Sequence, residues 1–138
     1  MTSYILDASA VIALLKKETG YKTVQNALAA GAACSAVNYS EVAQKIRAAG
    51  INWSTAASVL SARGLTVVDG TADDAVAAAA LWQPGANLSL ADRFCLATAK
   101  RLGVPAMTAD CAWGEGEGII QIRADSPATP PDAVEDDK

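Results

Sequence analysis

The spacing of apolar positions changes at Asp7. Tyr4-Ile5-Leu6 is a short apolar run closed by that acid, and Ala8-Ser9-Ala10-Val11-Ile12-Ala13-Leu14-Leu15 continues as an apolar helix pattern. This predicts a buried strand over about 3–7 feeding a helix that runs to about Lys16. Gly20 opens a second helical stretch, with Tyr21, Val24 and Leu28 on one face and Gly31 at its end. Ala33 to Val37 reads as a second strand, and Val42, Ile46 and Ala49 stripe a helix over about Asn38 to Ala49. Trp53, Ala56, Ala57 and Leu60 mark the next helix, with Gly64 placed to end it. Leu65 to Val68 is a strand, Thr71 to Trp82 an alanine-rich helix, and Gln83 to Asn87 a loop. Ser89 to Leu102 is helical, Ala106 to Thr108 a strand, Asp110 to Trp113 a single turn, and Ile119 to Ile122 a last strand.

Strands alternating with helices predict an α/β protein in three layers, α/β/α. Its central parallel sheet has about four to five strands joined by right-handed crossovers. Sheets of this kind bind their ligands at the carboxyl ends of the strands, which is where Asp7 falls. A chain of 138 residues accommodates one such core. The domain is expected over 1–124. Beyond it Pro127, Pro130 and Pro131 are interleaved with acids, so 125–138 is expected to be a disordered tail. No glycine-rich nucleotide fingerprint is present.

Composition narrows the chemistry. There is no histidine, which removes Ser-His-Asp and Cys-His nucleophiles and the usual zinc sites. Cys34, Cys95 and Cys111 are widely spaced and odd in number, the pattern of buried reduced thiols rather than of disulfides. The longest apolar stretches are too short to span a bilayer and no signal-peptide pattern opens the chain, so a cytoplasmic protein without a membrane partner is expected. Charge is uneven. Asp125 to Lys138 holds five acids and one lysine, whereas the body balances ten acids with ten bases.

Four body acids repay attention. Asp7 and Asp110 directly follow strands, while Glu41 and Asp92 begin helices. Each has an ordinary explanation. Asp7 is a good helix cap, Asn38-Tyr39-Ser40-Glu41 and Ser89-Leu90-Ala91-Asp92 resemble capping boxes, and Asp110 suits a turn. Asp92 also shares its helix face with Cys95, Leu96 and Ala99, the stripe that should meet the core. In a parallel sheet all four positions lie on one edge, where converging carboxylates repel one another unless cations neutralise them. An oxygen-only set suits Mg²⁺ or Mn²⁺. With four acids so occupied, the rest of the body would be net positive and suited to a polyanion.

The order Leu6-Asp7-Ala8-Ser9, Ser35-Ala36-Val37-Asn38-Tyr39-Ser40-Glu41-Val42, Leu88-Ser89-Leu90-Ala91-Asp92-Arg93 and Thr108-Ala109-Asp110 resembles the PIN domain superfamily, and within it the VapC toxins of bacterial toxin–antitoxin pairs. The resemblance implies a Mg²⁺- or Mn²⁺-dependent endoribonuclease using one or two ions, with Asp7, Glu41, Asp92 and Asp110 as metal ligands and catalytic acids. It implies that Ser9 and Thr108 support that site or its water. It also implies RNA as substrate, a cognate VapB-like antitoxin and a homodimer. Asn38 reads as a cap and hinge for Glu41 rather than as a ligand.

Arg93 is the one residue assigned to substrate. Lys45, Arg47 and Lys16-Lys17 are explained equally well by phosphate contact or by solvated helix faces, and for Glu115 and Glu117 a solvated loop is a stronger expectation than an extra acid behind the site. A phosphotransfer domain with Asp69 as acceptor lacks the paired acids and the lysine it would need, and a haloacid-dehalogenase-type phosphatase would need an acid where Ser9 stands. The remaining alternative is a non-catalytic PIN-like module that binds RNA or protein.

Overall fold

The computed structural model describes residues 1–123. The expected tail over 125–138, and the domain boundary at 124, lie outside the described residues. Five strands form one sheet: β1 (Tyr4–Leu6), β2 (Ala32–Ser35), β3 (Thr66–Val68), β4 (Ala106–Thr108) and β5 (Ile119–Gln121). Every pairing is parallel and the spatial order is β3-β2-β1-β4-β5. Six helices accompany them: α1 (Ala8–Lys16), α2 (Tyr21–Ala30), α3 (Ala36–Ala48), α4 (Trp53–Ala62), α5 (Ala72–Ala80) and α6 (Leu90–Leu102).

Strand alternation sorts the core into two layers. Leu6, Cys34 and Met107 face α1 to α4, packing with Val11, Val24, Leu28, Val42, Ile46 and Leu60. Their strand neighbours Ile5, Ala33 and Ala106 face the other way, onto Cys95 and Ala99 of α6 and onto Trp113. The small residues of β2 and β4 let helices approach the sheet closely on both sides. α5 packs outside on α6, pinned by Arg101, which donates from Nε and Nη2 to the two carboxylate oxygens of buried Asp74 at 2.9 and 3.0 Å.

The strand order places a topological switch between β1 and β4. The chain steps from β1 through β2 to β3 on one side, then crosses to β4 and β5 on the other. Diverging connections leave a crevice at such a point, beyond the carboxyl ends of the two strands. Asp7 and Asp110 follow those strands.

Two expectations are corrected. α3 starts at Ala36, not Asn38, because the Ser35 side chain accepts the Asn38 amide at 3.1 Å and caps the helix three residues early. Glu41 therefore lies in the second turn and forms no capping box. Cys34 and Cys95 are buried free thiols as expected, but Cys111 is exposed. Gly20 has a φ of +91°, and a Cβ there would meet the Ile122 carbonyl oxygen at 2.7 Å. Only glycine allows the start of α2 to close on the end of the sheet in this way.

Candidate active site

Asp7 leaves β1 with its amide still bonded to the Met107 carbonyl of β4 (3.0 Å) and its own carbonyl accepting the first helical bond, from Val11. Its side chain caps α1, Oδ1 accepting the Ala10 amide at 2.8 Å. The same oxygen accepts the Ser9 hydroxyl at 2.7 Å, and Oδ2 accepts the Thr108 hydroxyl at 2.6 Å. Both hydroxyls in turn accept a backbone amide, Ser9 from Ala109 (2.8 Å) and Thr108 from Asp110 (2.9 Å). A hydroxyl has one proton. With both protons directed at Asp7, the 3.3 Å approach of Ser9 Oγ to Thr108 Oγ1 is a contact and not a further bond. The network locks the end of β1 to the end of β4.

Asp7 is only 2 % exposed. Burial pushes its carboxyl up to about 6, against the lowering effect of the bonds from Thr108, Ala10 and Ser9, and the negative charge of Asp92 pushes the same way as burial.

The other three acids enter from separate elements. Glu41 is partly exposed on α3, its Oε2 3.3 Å from Lys45 Nζ one turn on. Asp92 closes a capping box at the start of α6. Its amide donates to Ser89 Oγ (3.1 Å) and its Oδ2 accepts the Ser89 amide (3.0 Å). Asp110 is exposed and caps a 3-10 turn over Cys111–Trp113, Oδ1 accepting the Ala112 amide at 2.9 Å. The ordinary explanations for Asp7, Asp92 and Asp110 are thus real, and they do not compete with a site: each bond is local, and all four carboxylates line the same cleft.

That cleft has a volume of about 120 Å³ and is lined by Asp7, Ser9, Glu41, Lys45, Ser89, Asp92 and Asp110. Among the described residues no three acids close on one point as a formed cation site; each stays with its own local partner. The donor chemistry nevertheless fits a hard cation. All four acidic side chains lining it are carboxylates, with Asp7 buried and the others more open, and a cleft of this size takes on the order of four waters or a hydrated ion.

Two residues not singled out as part of the site hold these acids in place. Asn38, fully buried, accepts the Ser35 hydroxyl and donates from Nδ2 to the Ala91 carbonyl at 3.1 Å, tying the start of α3 to the residue before Asp92. Its expected role as helix cap belongs to Ser35, but its link to the Glu41 helix is direct. Gln121 donates from Nε2 to the carbonyls of Asp110 (3.0 Å) and Gly114 (2.9 Å), clamping the turn that presents Asp110. The signal for Gln121 was present in the sequence, as one amide between Ile120 and Ile122.

Arg93 is not among the residues lining the cleft. It donates from Nη1 to the Ala78 carbonyl of α5 at 2.9 Å, and its Nε is buried without a protein partner. Glu115 and Glu117 are exposed and do not line the cleft. Asp69 is exposed beyond β3, the edge strand two places from β1. A larger cleft of about 500 Å³ adjoins the first through Ser9, Lys45 and Asp110, and there Lys16 and Arg123 join the lining.

The profile of a family described as PIN domain matches residues 4–115. No curated protein matches the sequence. Among solved structures, a toxin–antitoxin complex from Klebsiella pneumoniae is similar at 20 % identity and a TM-score of 0.67, covering 87 % of this chain and 98 % of its own. A DNA-bound VapBC from Salmonella typhimurium follows at 16 % identity and 0.66, covering 88 % and 99 %. The Mycobacterium tuberculosis VapC20, described as a sarcin-ricin loop cleaving toxin, is similar at 15 % and 0.61, covering 84 % and 92 %. At these identities the likeness is one of fold.

Proposed function

The chain belongs to the PIN domain family, and on that premise we propose that it is a Mg²⁺- or Mn²⁺-dependent endoribonuclease, the toxin of a VapC-type pair. Its partners in this reading are RNA, a VapB-like antitoxin and a second copy of itself, in the cytoplasm. The observation that carries the reading is the convergence of Asp7, Glu41, Asp92 and Asp110, from four separate segments, on one cleft at the switch between β1 and β4. The names of the structural neighbours, toxin–antitoxin complexes and a sarcin-ricin loop cleaving toxin, support the same assignment.

The four carboxylates would hold the metal. When bound, it supplies a water of lowered pKa and positive charge beside the phosphodiester. The chain supplies orientation. Both Asp7 oxygens are already fixed by three donors, so this ligand needs no rearrangement. Ser9 and Thr108 act through Asp7, because the single proton of each is directed at it. Glu41 and Asp110, the more open acids, would accept a proton from water. With no imidazole in the chain, proton removal falls to carboxylates.

One observation favours a second reading. Each carboxylate already has a partner among the chain's own groups, as it would in a PIN-like module that only binds RNA or protein. The test is cleavage of structured RNA by purified protein. Cleavage is expected with Mg²⁺ or Mn²⁺ and not in EDTA, and is expected to be abolished in Asp7→Asn and Asp92→Asn proteins that keep the wild-type circular dichroism spectrum. Undiminished cleavage in EDTA overturns the metal mechanism. Tight RNA binding without cleavage under any divalent ion selects the second reading.

A further inference from the structure

We propose that Lys16, Lys45 and Arg123 form a phosphate subsite for the RNA strand, next to the acidic cleft. The three come from the end of α1, the last turn of α3 and the residues after β5, and they line one cleft of about 500 Å³. This inference rests on the ribonuclease reading for its substrate class.

Size separates the two clefts. The acidic one, at about 120 Å³, holds an ion and its waters but not a nucleotide. The second falls within the roughly 300–1,000 Å³ of small-molecule sites. Charge separates them as well. The first sets four carboxylates against Lys45, while the second sets Lys16, Arg123 and that same Lys45, which is paired with Glu41 at 3.3 Å, against Glu18 and Asp110. A polyanion therefore meets repulsion at one end and attraction at the other. Lys45 and Asp110 line both, so a strand whose cleaved phosphate enters the acidic cleft has a neighbouring phosphate within the basic one. Ile12 adds an apolar wall against which a base or ribose can rest.

Lys16 and Lys45 lie in the last turns of their helices, where a cation also offsets the helix dipole. That accounts for each lysine singly but not for the convergence of both with Arg123.

The experiment uses the full chain and a fluorescently labelled single-stranded RNA oligonucleotide, with affinity read by anisotropy in EDTA across a salt series. Lys16→Ala and Arg123→Ala are each expected to weaken binding about 5- to 10-fold. Each should also flatten the salt dependence by about 0.7 in log–log slope, the signature of one lost phosphate contact on a single strand. Arg63→Ala and Lys100→Ala, at positions lining neither cleft, serve as controls and should bind as wild type. In cleavage assays the first pair should raise KM with kcat within about twofold. Wild-type affinity and salt slope in both variants overturn the subsite. So does displacement of the RNA by an acidic peptide at equal concentration, which would assign the cleft to a protein ligand. A chain that cleaves RNA with unchanged KM in both variants loses the subsite and keeps the nuclease; one that binds through these residues but never cleaves does the reverse.

Discussion

The hydroxyl of Thr108 donates to Asp7 Oδ2 at 2.6 Å, joining two residues 101 positions apart across the switch between β1 and β4. Thr108 is fully buried and its oxygen also accepts the Asp110 amide, so one side chain aligns the first and last acids of the cleft. Thr108→Val keeps the shape and removes both bonds. It should cost about 1–3 kcal/mol in denaturant unfolding, the usual penalty for stranding buried polar groups, while Thr108→Ser should recover most of it. Equal midpoints for Thr108→Val and wild type would show that this bond does not hold the crevice.

A pH dependence follows from Asp7. Its carboxyl stands at about 6 in the fold against 3.8 in the unfolded chain, so the folded state binds the proton more tightly. The contribution is fully present below about 3.8 and is lost as pH rises through about 6, a change of roughly 3 kcal/mol. Asp74 has the opposite sign, since its bond with Arg101 lowers its pKa. Its contribution is lost only below 3.8, outside this window. In EDTA the protein should therefore lose stability between pH 4.5 and 7 relative to Asp7→Asn. Added Mn²⁺ should restore stability above pH 6 and lose its effect below. A wild-type minus Asp7→Asn difference that is flat across the window contradicts the buried, proton-retaining Asp7.

The sequence carried the strand-then-acid junctions at Asp7 and Asp110 plainly, because periodicity changes there. It could not carry strand order. Nothing in the spacing says that β4 returns beside β1, yet that return makes two distant acids neighbours. The start of α3 was obscured by Ala36 and Val37, which read as a continuing strand. The Ser35 cap decides otherwise, through one bond to Asn38. Arg93 was drawn into the site by adjacency to Asp92, but successive helical residues project about 100° apart, and Arg93 packs toward α5. Lys16 and Arg123 stood for the reverse difficulty, since far apart in sequence they meet only through the sheet.

Asn38 links two acidic elements that share no sequence signal. Its Nδ2 bond to the Ala91 carbonyl is the hydrogen bond from the first turn of α3 to the start of α6. Asn38→Ala leaves the buried Ser35 hydroxyl without its acceptor and removes the second bond to the Ala91 carbonyl, and should lower stability by about 1–3 kcal/mol. If the link positions Glu41 against Asp92, Mn²⁺ affinity measured by calorimetry should also fall. A stability loss with unchanged Mn²⁺ affinity would make Asn38 a packing residue only.

Gln121 offers the sharpest separation of positioning from folding. It touches Asp110 only through the backbone carbonyl, and its second bond, to Gly114, closes the 3-10 turn from the other end. Its Oε1 is buried without a protein partner, so the amide acts through its two donated bonds. Gln121→Met fills similar space and removes both donations, leaving Asp110 with its bond to Ala112 but on a turn no longer tied to β5. The expected result is a Mn²⁺ affinity about 10-fold weaker, at the low end of what outer-shell substitutions cause, with kcat reduced at saturating metal. Thr108→Ser, which disturbs the same neighbourhood but keeps the donors, should leave Mn²⁺ affinity near wild type. Asp110 is exposed and keeps its amide bond to Thr108 and its cap of Ala112 in this variant, so a Gln121→Met protein with wild-type metal affinity would mean that those bonds hold the turn, and that Gln121 serves the sheet edge rather than the cleft.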